Sequence, residues 1–347
     1  MEKATQEEPR LFSDFSAKTK AQWKEKVEKD LKGASFEEKL LWETDEGFSL
    51  EPFYNQEDLI GLEHLSALHQ AGLNPDKLQQ GFSARQWHHC EAIPVAQGKE
   101  KEANALALNA LNQGSSAIAF EFDKGDSCDW KALFREIQWQ YCAIAFHFQS
   151  EQWALWESLI QYWEAEGISA EHLHGYVLFG ESLAAEKYAQ LHRQTAKYPE
   201  FKGLSAVSRE GKVSEKVGSL LYQFQQLANL LEGQAGAGEV LANTCFHYTL
   251  DTLYFFQIAG VRSFRFLIRQ MAQAYGVDAA PCTLRAITGI TIDETTKEDP
   301  EWNMLTNTTQ AMSGLLGGCD YLTVQPHNRG IEEVDAFSNR IARNISN

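Results

Sequence analysis

Seven short apolar runs without polar alternation recur along the chain, and they constrain its fold more than any other feature. They read SSAIAFEF (115–122), YCAIAFHF (141–148), HGYVLFG (174–180), GLSAVS (203–208), TCFHYTL (244–250), CTLRAIT (282–288) and YLTV (321–324). Strands that are buried on both faces have this pattern, which is typical of parallel sheets. Helical segments separate the runs, so the sequence predicts a regular alternation of strands and helices.

We interpret this alternation as a TIM-type (β/α)8 barrel rather than an open, doubly wound sheet. The glycine-rich stretch at 233–238 follows a helical segment instead of a strand, so it does not indicate a dinucleotide site. About seven strands are present, one fewer than a closed barrel needs, and residues 337–347 are predicted to be the helix after the seventh. We therefore expect the last strand to be missing: either the sequence is a fragment or another element covers the gap.

The stretch from Asp299 to Gly318 predicts one complete helix before the last strand. Asp299 is expected to be the N-cap with Pro300 at the first helical position, and Gly317 and Gly318 are expected to end the helix. Residues that recur at helical spacing are predicted to form its core-facing side: Met304, Leu305, Thr308, Ala311, Met312, Leu315 and Leu316.

Residues 1–80 are predicted to be an extended and helical arm with a linker, and 81–347 a barrel domain that is incomplete at its C-terminus. A capping box at 19–22 begins a short, highly charged helix that Gly33 ends. One narrow apolar stripe on this helix cannot build a core, so the arm is expected to lie on another surface, either the body of this chain or a partner. The predicted interface residues are Trp23, Val27, Leu31, Phe53 and Tyr54.

Charge and composition exclude several classes of partner and location. The net charge of −17 argues against nucleic acid or an anionic membrane surface as the main partner. Six scattered cysteines without metal-ligand spacing are typical of a reduced, cytoplasmic protein. The first thirty residues contain no apolar signal segment, and no run approaches the roughly 20 apolar residues that cross a bilayer. We expect a cytoplasmic protein.

Four parts of the sequence resemble the methylmalonyl-CoA mutase family. The N-terminal residues 11–59, with the elements DLKG, EGF and PFY, resemble the small subunits of the heterodimeric enzymes. The segment DPEWNMLTNTTQAMSGLLGGCDYLTVQPHN (299–328) and the later RIARN are similar to family segments, as is TLDTLYFFQIAGVRSFRFL (249–267). The resemblance spans most of residues 11–347 and is to the small, non-catalytic subunit type.

This resemblance implies a function for a complex rather than for one chain. The family combines a cobalamin-dependent TIM barrel with a separate cobalamin-binding domain, and its cobalt-ligating DxHxxG signature does not occur here. The resemblance therefore implies a barrel domain without that domain, which binds no cofactor and no metal by itself. Adenosylcobalamin is expected on the large subunit, and the heterodimer is expected to interconvert methylmalonyl-CoA and succinyl-CoA in propionate metabolism.

The resemblance also implies that the catalytic residues have been replaced. Catalytic subunits have an RQY motif whose tyrosine lies over the substrate, whereas here Arg85 and Gln86 are followed by Trp87. Ser208 stands near the family's histidine that polarises the thioester carbonyl. On a later helix Arg262 is retained. Three other polar positions of the family carry different residues here: Leu178, Gln257 and Gly260. We expect no catalytic residue in this chain.

The carboxyl-terminal strand ends form the functional face of a TIM barrel, so a vestigial substrate pocket is expected there. Its candidate residues are Arg85, Gln86, Trp87, Glu121, His147, Ser208, His247, Gln325 and His327. Glu121 and His147 could pair as a base and its orienting group, but such side chains more often only cap a barrel end. The alternatives left open are a stand-alone barrel enzyme or acyl-CoA-binding protein with a degenerate pocket, and a fragment of a longer small subunit.

Overall fold

The structure is a computed structural model that describes residues 16, 18–62, 87–277 and 281–346. It separates into two units, residues 1–67 and 68–347. The predicted boundary between positions 80 and 81 lies outside the described residues, as do the site candidates Arg85 and Gln86.

The first unit consists of short elements that the sequence caps locally. They are α1 (Lys20–Asp30), α2 (Phe36–Leu40), β1 (Trp42–Glu43), β2 (Ser49–Leu50) and a 3-10 turn (Gln56–Leu59). The predicted capping box is present, since Thr19 Oγ1 accepts from the Gln22 amide at 3.2 Å and Gln22 Oε1 accepts from the Thr19 amide at 3.2 Å. Gly33, at φ +93°, lies just beyond the helix end.

The apolar stripe of α1 packs against other residues of the same unit. The ring of Trp23 stacks on Phe53 with centroids 4.9 Å apart and meets the edge of Phe36 at 6.2 Å. Phe36 is buried, whereas Tyr54 remains 53% exposed. The other two stripe residues, Val27 and Leu31, are half-buried. A role of this stripe, Phe53 and Tyr54 at a partner interface stays a prediction.

The second unit is built on parallel strands, as the predicted TIM-type barrel requires, and nine of them are present in the described residues. In the order in which neighbouring strands are hydrogen-bonded they run β7-β6-β5-β4-β3-β11-β10-β9-β8. The strands are β3 (His88–Val95), β4 (Ala117–Phe122), β5 (Ala143–Phe148), β6 (Gly175–Phe179), β7 (Phe201–Lys202), β8 (Leu204–Val207), β9 (Thr244–Leu250), β10 (Thr283–Thr288) and β11 (Tyr321–Thr323). All seven predicted runs are strands.

The prediction that a strand is missing is wrong. β3 was not counted, and it lies between β4 and β11, where Tyr321 pairs with His88. Only Gly203 separates β7 from β8, so these two occupy one position and the nine strands fill eight positions of a barrel. The sequence of β3, HHCEAIPV, contains two histidines and a glutamate, so it lacks the unbroken apolar character of the seven predicted runs. The barrel is therefore not short of a strand.

The barrel has one seam, where β6 faces β8 without a backbone ladder. Ser205 Oγ bridges the seam by donating to the Val177 carbonyl oxygen at 2.6 Å. The backbone of Val207 is satisfied by a side chain, because its amide donates to Gln223 Oε1 at 3.0 Å and its carbonyl accepts from Gln223 Nε2 at 2.7 Å. A glutamine amide thus takes the place of a neighbouring strand at this exposed edge.

Helices cover the outside of the sheet. They are α3 (Glu100–Asn112), α4 (Trp130–Leu133), α5 (Trp153–Ala165), α6 (Ala185–Thr195), α7 (Val213–Leu230), α8 (Ala237–Ala242), α9 (Tyr254–Ala274), α10 (Glu294–Glu298), α11 (Trp302–Gly317) and α12 (Ala336–Ser346), with a 3-10 turn at Ala170–His172. Aromatic residues dominate the layer between helices and strands: Trp163 meets Phe201 with centroids 5.1 Å apart. None of the described helices has the length and apolar character that would span a membrane.

Helix α11 presents a different face to the core from the predicted one. Leu305, Met312 and Leu316 are between 49% and 63% exposed. The buried face is instead formed by amide, hydroxyl and small side chains, namely Asn303, Asn307, Gln310, Ala311, Ser313, Gly314 and Gly317. The N-cap is Glu301 rather than Asp299, whereas Gly318 ends the helix in the left-handed conformation as predicted.

The polar face is buried because it binds the backbone that leaves the strands. Asn307 Nδ2 donates to the Gln325 carbonyl at 2.9 Å, and Gln310 Oε1 accepts from the Gly289 amide at 2.6 Å. Gly317 allows a close approach to helix α9, because a Cβ atom there would lie 2.7 Å from Val261 Cβ. Hydrogen bonds to loop backbone therefore outweigh the apolar periodicity in orienting this helix.

Candidate functional site

The interior of the barrel is filled by large side chains on one side and small ones on the other. Alternate residues of β3, β4, β5 and β9 line it with small side chains, namely Cys90, Ala117, Ala119, Ala143, Ala145 and Cys245. Tyr176 fills the resulting space, with its ring 5.6 Å from the Tyr321 ring and beneath the Arg285 guanidinium at 5.6 Å. These three side chains are at most 6% exposed. At this level large side chains of the protein narrow the axis.

Glu121 and His147 meet at the carboxyl-terminal end of the barrel. They are register partners on β4 and β5, and His147 Nδ1 lies 3.5 Å from Glu121 Oε1. The other carboxylate oxygen accepts from Arg329 Nη2 at 2.9 Å. His147 Nε2 lies 3.4 Å from the Tyr176 hydroxyl. Four side chains therefore form one connected network.

The protonation states of this network follow from burial and charge. Burial raises the pKa of Glu121, but the hydrogen bond with His147 and the positive charge of Arg329 outweigh it and hold the pKa at about 2. Burial lowers the pKa of His147 despite the neighbouring carboxylate, and it raises the pKa of Tyr176 well above its usual range. At neutral pH a neutral His147 donates from Nδ1 to the Glu121 carboxylate and accepts from the Tyr176 hydroxyl. The network is complete without a substrate.

His247 lies deeper in the barrel and makes a separate contact across the seam. Its Nε2 is 3.0 Å from Ser205 Oγ, while the hydroxyl hydrogen of Ser205 is donated to the Val177 carbonyl. Nε2 of His247 must therefore carry the ring proton, and Nδ1 is left as a buried acceptor without a partner. The ring lies 5.0 Å from Tyr176, so this tyrosine separates His247 from His147.

The remaining candidates do not join this cluster. Ser208 extends the ladder between β8 and β9, because its Oγ accepts from the Thr249 amide at 3.1 Å. Gln325 ties the end of β11 to that of β10 by donating from Nε2 to the Thr288 carbonyl at 2.7 Å. His327 is buried, and its ring contacts Phe337 at 6.1 Å.

Trp87 is also outside the cluster, and its expected place in one pocket with Glu121 and His147 is wrong. It precedes β3, so it lies at the amino-terminal end of the barrel, opposite the strand ends that hold these two residues. Its half-buried side chain packs against the core between sheet and helices. The sequence assigns Trp87 to the pocket only through the short motif that it shares with Arg85 and Gln86. That assignment does not take into account that strand β3 begins directly after Trp87.

Helix α9 shows what the family's replaced positions do in this chain. Gln257 is fully buried with neither polar side-chain atom hydrogen-bonded. At Gly260 a Cβ atom would lie 2.5 Å from the Tyr248 hydroxyl oxygen, so no larger residue fits there without displacement. Arg262 donates from Nη2 to the Leu316 carbonyl at 3.0 Å, which joins α9 to α11. These positions serve packing between helices.

Tyr176, Arg285 and Arg329 were not singled out from the sequence. A signal existed for Arg285, because a charged residue inside the apolar run CTLRAIT has no place in a strand buried on both faces unless it points into the barrel. Arg329 follows the last strand by several residues, and only the folded chain brings it to Glu121. The described residues contain no group of three or more His, Cys, Asp or Glu side chains that could hold a metal ion.

Comparisons with known proteins show which proteins this chain is similar to. Residues 227–347 match the family described as methylmalonyl-CoA mutase. The chain is 28% identical to the methylmalonyl-CoA mutase small subunit of Porphyromonas gingivalis, over 97% of this chain and 58% of that protein. It is 25% identical to the small subunit of Streptomyces virginiae, with the same coverage of 97% and 58%. Identity to the methylmalonyl-CoA mutase of Rhizobium meliloti is 24%, over 95% of this chain and 52% of the relative.

The chain thus spans between half and three-fifths of the length of these relatives. The family match covers β9, β10 and β11 with the buried Arg285, and the two small-subunit alignments extend over nearly the whole chain. The chain is thus similar over nearly its whole length to methylmalonyl-CoA mutase small subunits, and its residues 227–347 match the methylmalonyl-CoA mutase family.

Proposed function

We propose that this chain is the small subunit of a heterodimeric, adenosylcobalamin-dependent methylmalonyl-CoA mutase and is itself non-catalytic. Its partner is the large subunit, which it stabilises, and the complex interconverts methylmalonyl-CoA and succinyl-CoA. The names of the two small-subunit relatives support this role. A cytoplasmic location is part of the proposal, and the absence of disulfides among the six cysteines supports it.

The observation that carries the proposal is the narrowed barrel axis. The large side chains of Tyr176, Arg285 and Tyr321 lie in it, while the polar groups of Glu121 and His147 are directed at other protein groups. A general acid or base works best when its pKa lies near the ambient pH. Here the pKa of Glu121 is driven down to about 2 and that of Tyr176 upward, both away from neutrality. This supports a structural rather than a catalytic barrel.

The histidines at the carboxyl-terminal end do not fit a cobalt ligand. An imidazole that ligates a metal needs a free, unprotonated nitrogen directed at it. His147 uses its two ring nitrogens for Glu121 and Tyr176, while the unpartnered Nδ1 atoms of His247 and His327 are enclosed by protein. The large subunit is therefore the proposed holder of adenosylcobalamin.

Coexpression with a cognate large subunit tests this function. We expect a one-to-one complex in size-exclusion chromatography with light scattering, and isomerisation of methylmalonyl-CoA only when both chains and adenosylcobalamin are present. As a matched control, the large subunit alone should unfold at a lower temperature than the complex. Turnover by this chain alone, or a monomer indifferent to the large subunit, would contradict the proposal.

A second candidate is an acyl-CoA-binding protein with a degenerate pocket, or a stand-alone enzyme built on it. A cleft of about 360 Å³ at the seam between β6 and β8 favours this alternative. Its walls include Val177, Phe179, Tyr188, Leu191, Val207 and Gln223. Isothermal titration with methylmalonyl-CoA and with free coenzyme A distinguishes the two functions, because a pure scaffold binds neither. Saturable binding that Val207→Trp abolishes would favour the acyl-CoA-binding role.

A further inference from the structure

The barrel axis contains a buried positive charge for which the described residues provide no anionic partner. Arg285 is 3% exposed, and its Nε donates to Thr323 Oγ1 at 3.0 Å. Its Nη2 is buried without any hydrogen-bond partner. Glu121, the carboxylate at the same end of the barrel, is engaged by Arg329 and His147. The guanidinium therefore has an open donor and no counter-ion of its own.

Such an arrangement is unfavourable unless something else neutralises it. An ionised group taken out of water without a partner is strongly destabilising, and buried charges in proteins are paired as a rule. The Tyr176 ring, 5.6 Å from the Arg285 guanidinium carbon, supplies a cation–π contact but accepts no hydrogen bond from Nη2. Within the described part of the chain, no group supplies the missing partner.

A second buried polar atom without a hydrogen-bond partner lies on the neighbouring strand. His247 pairs in register with Arg285 across β9 and β10, and both side chains contact the same Tyr176 ring. Nδ1 of His247 is a buried acceptor without a partner. The pair thus combines an unused N–H donor with an unused acceptor. An anion beside the first and a water molecule between that anion and the second satisfy both atoms.

We propose that the barrel axis binds one small monovalent anion, of the size of chloride, on Nη2 of Arg285, with a water molecule linking it to Nδ1 of His247. The water donates one hydrogen to the anion and the other to the imidazole. The rings of Tyr176 and Tyr321 restrict the site to small ions. The bound anion neutralises the axis, so it acts as a structural component of the barrel.

Thermal unfolding at constant ionic strength, with chloride replacing gluconate, tests the proposal. Gluconate is too large for the site, so the Tm of the unaltered chain is expected to rise by about 2 °C or more as chloride is added, because an ion that binds only the folded state stabilises it. Arg285→Met removes the charge with little change in volume, and its Tm should not respond to chloride. Arg262→Met, a change at an exposed arginine, should retain the full response.

Crystals grown with bromide locate the ion directly. An anomalous peak within hydrogen-bond distance of Arg285 Nη2 is expected in the unaltered chain and in Arg262→Met. A water molecule refined at that position without anomalous signal would overturn the proposal, as would an equal chloride response in Arg285→Met. If Arg285→Met does not fold, the bromide crystals of the unaltered chain decide the question alone.

Discussion

Arg343 on helix α12 forms a bidentate ion pair with Glu91 on β3. Its Nε lies 2.8 Å from Glu91 Oε2 and its Nη2 lies 2.9 Å from Oε1. Only 5% and 12% of the two side chains are exposed. Ser115 Oγ donates to the same carboxylate at 3.0 Å, and Gln113 accepts from Arg343. The RIARN segment therefore fastens the last described helix to the strand that completes the barrel.

Breaking this pair is expected to destabilise the fold strongly. Arg343→Met leaves Glu91 buried without its partner, and the free energy of unfolding should fall by about 3 to 5 kcal/mol. Urea denaturation measures the loss. The exposed pair of Lys99 and Glu102 is the control, since Lys99→Met should change stability by about 0.5 kcal/mol or less. Equal losses in the free energy of unfolding would show that the buried pair contributes no more to stability than the exposed pair.

Gly203 tests the break between β7 and β8. A Cβ atom there would lie 2.0 Å from Thr195 Oγ1, and Thr195 is fully buried and hydrogen-bonded to Asn243. Gly203→Ala should therefore lower the free energy of unfolding by about 3 kcal/mol, because the packed neighbours cannot give way freely. Gly218→Ala, on a helix with open space at Cβ, should instead stabilise by about 0.5 to 1 kcal/mol. Denaturation curves of the two variants that shift in the same direction would contradict this account.

Stability should fall as the pH falls, in two stages. Burial lowers the pKa of His147 and of His247, so below about pH 6.5 the unfolded chain takes up protons that the folded chain refuses. Between pH 7.5 and 5.5 the free energy of unfolding is therefore expected to decrease. A second loss should begin near pH 4.5 and continue to about pH 2, because the pKa of Glu121 is about 2 in the folded chain and higher when unfolded.

Two variants test the first stage in denaturation curves recorded at several pH values. His147→Gln with His247→Gln should flatten the slope between pH 7.5 and 5.5, whereas His172→Gln, at a side chain that is 45% exposed, should leave it unchanged. A slope that the double variant retains in full would show that other groups cause the first stage.

Two buried glutamines make opposite predictions under the same substitution. Gln257 has no hydrogen-bond partner for either polar atom, so Gln257→Met should stabilise the chain by about 1 kcal/mol. Gln310 accepts from the Gly289 amide at 2.6 Å, so Gln310→Met should leave that amide unsatisfied and cost about 1 to 3 kcal/mol. The difference in urea midpoint between the variants measures this. A destabilised Gln257→Met would point to a bound partner for that amide.

Local patterns in the sequence predicted several elements correctly. The seven apolar runs form strands. Both faces of these strands are enclosed, so their residues are apolar without alternation, and this pattern is visible in the sequence. The capping box of Thr19 and Gln22 and the left-handed Gly318 are likewise formed by residues close in sequence. The contact between Glu121 and His147 followed from their equivalent positions on neighbouring strands.

The missed features depend on residues distant in the chain. β3 was overlooked because Glu91 makes its ion pair with Arg343, 252 residues away, and no local pattern shows that such a partner exists. The buried face of helix α11 differs from the predicted one because Asn307 and Gln310 form hydrogen bonds with loop backbone. Only the folded barrel brings these loops beside the helix.

The sequence by itself determined the class of fold and the resemblance to a family, because repeated buried strands and long similar segments are encoded residue by residue. The tertiary structure decided that the barrel has a full set of strand positions and that its axis is occupied. Tyr176, Arg285 and Tyr321 come from three separate strands, and whether they leave a channel or fill it depends on the closure of the sheet around them. Packing and charge compensation inside a closed barrel are properties of the whole chain, so no local pattern contains them.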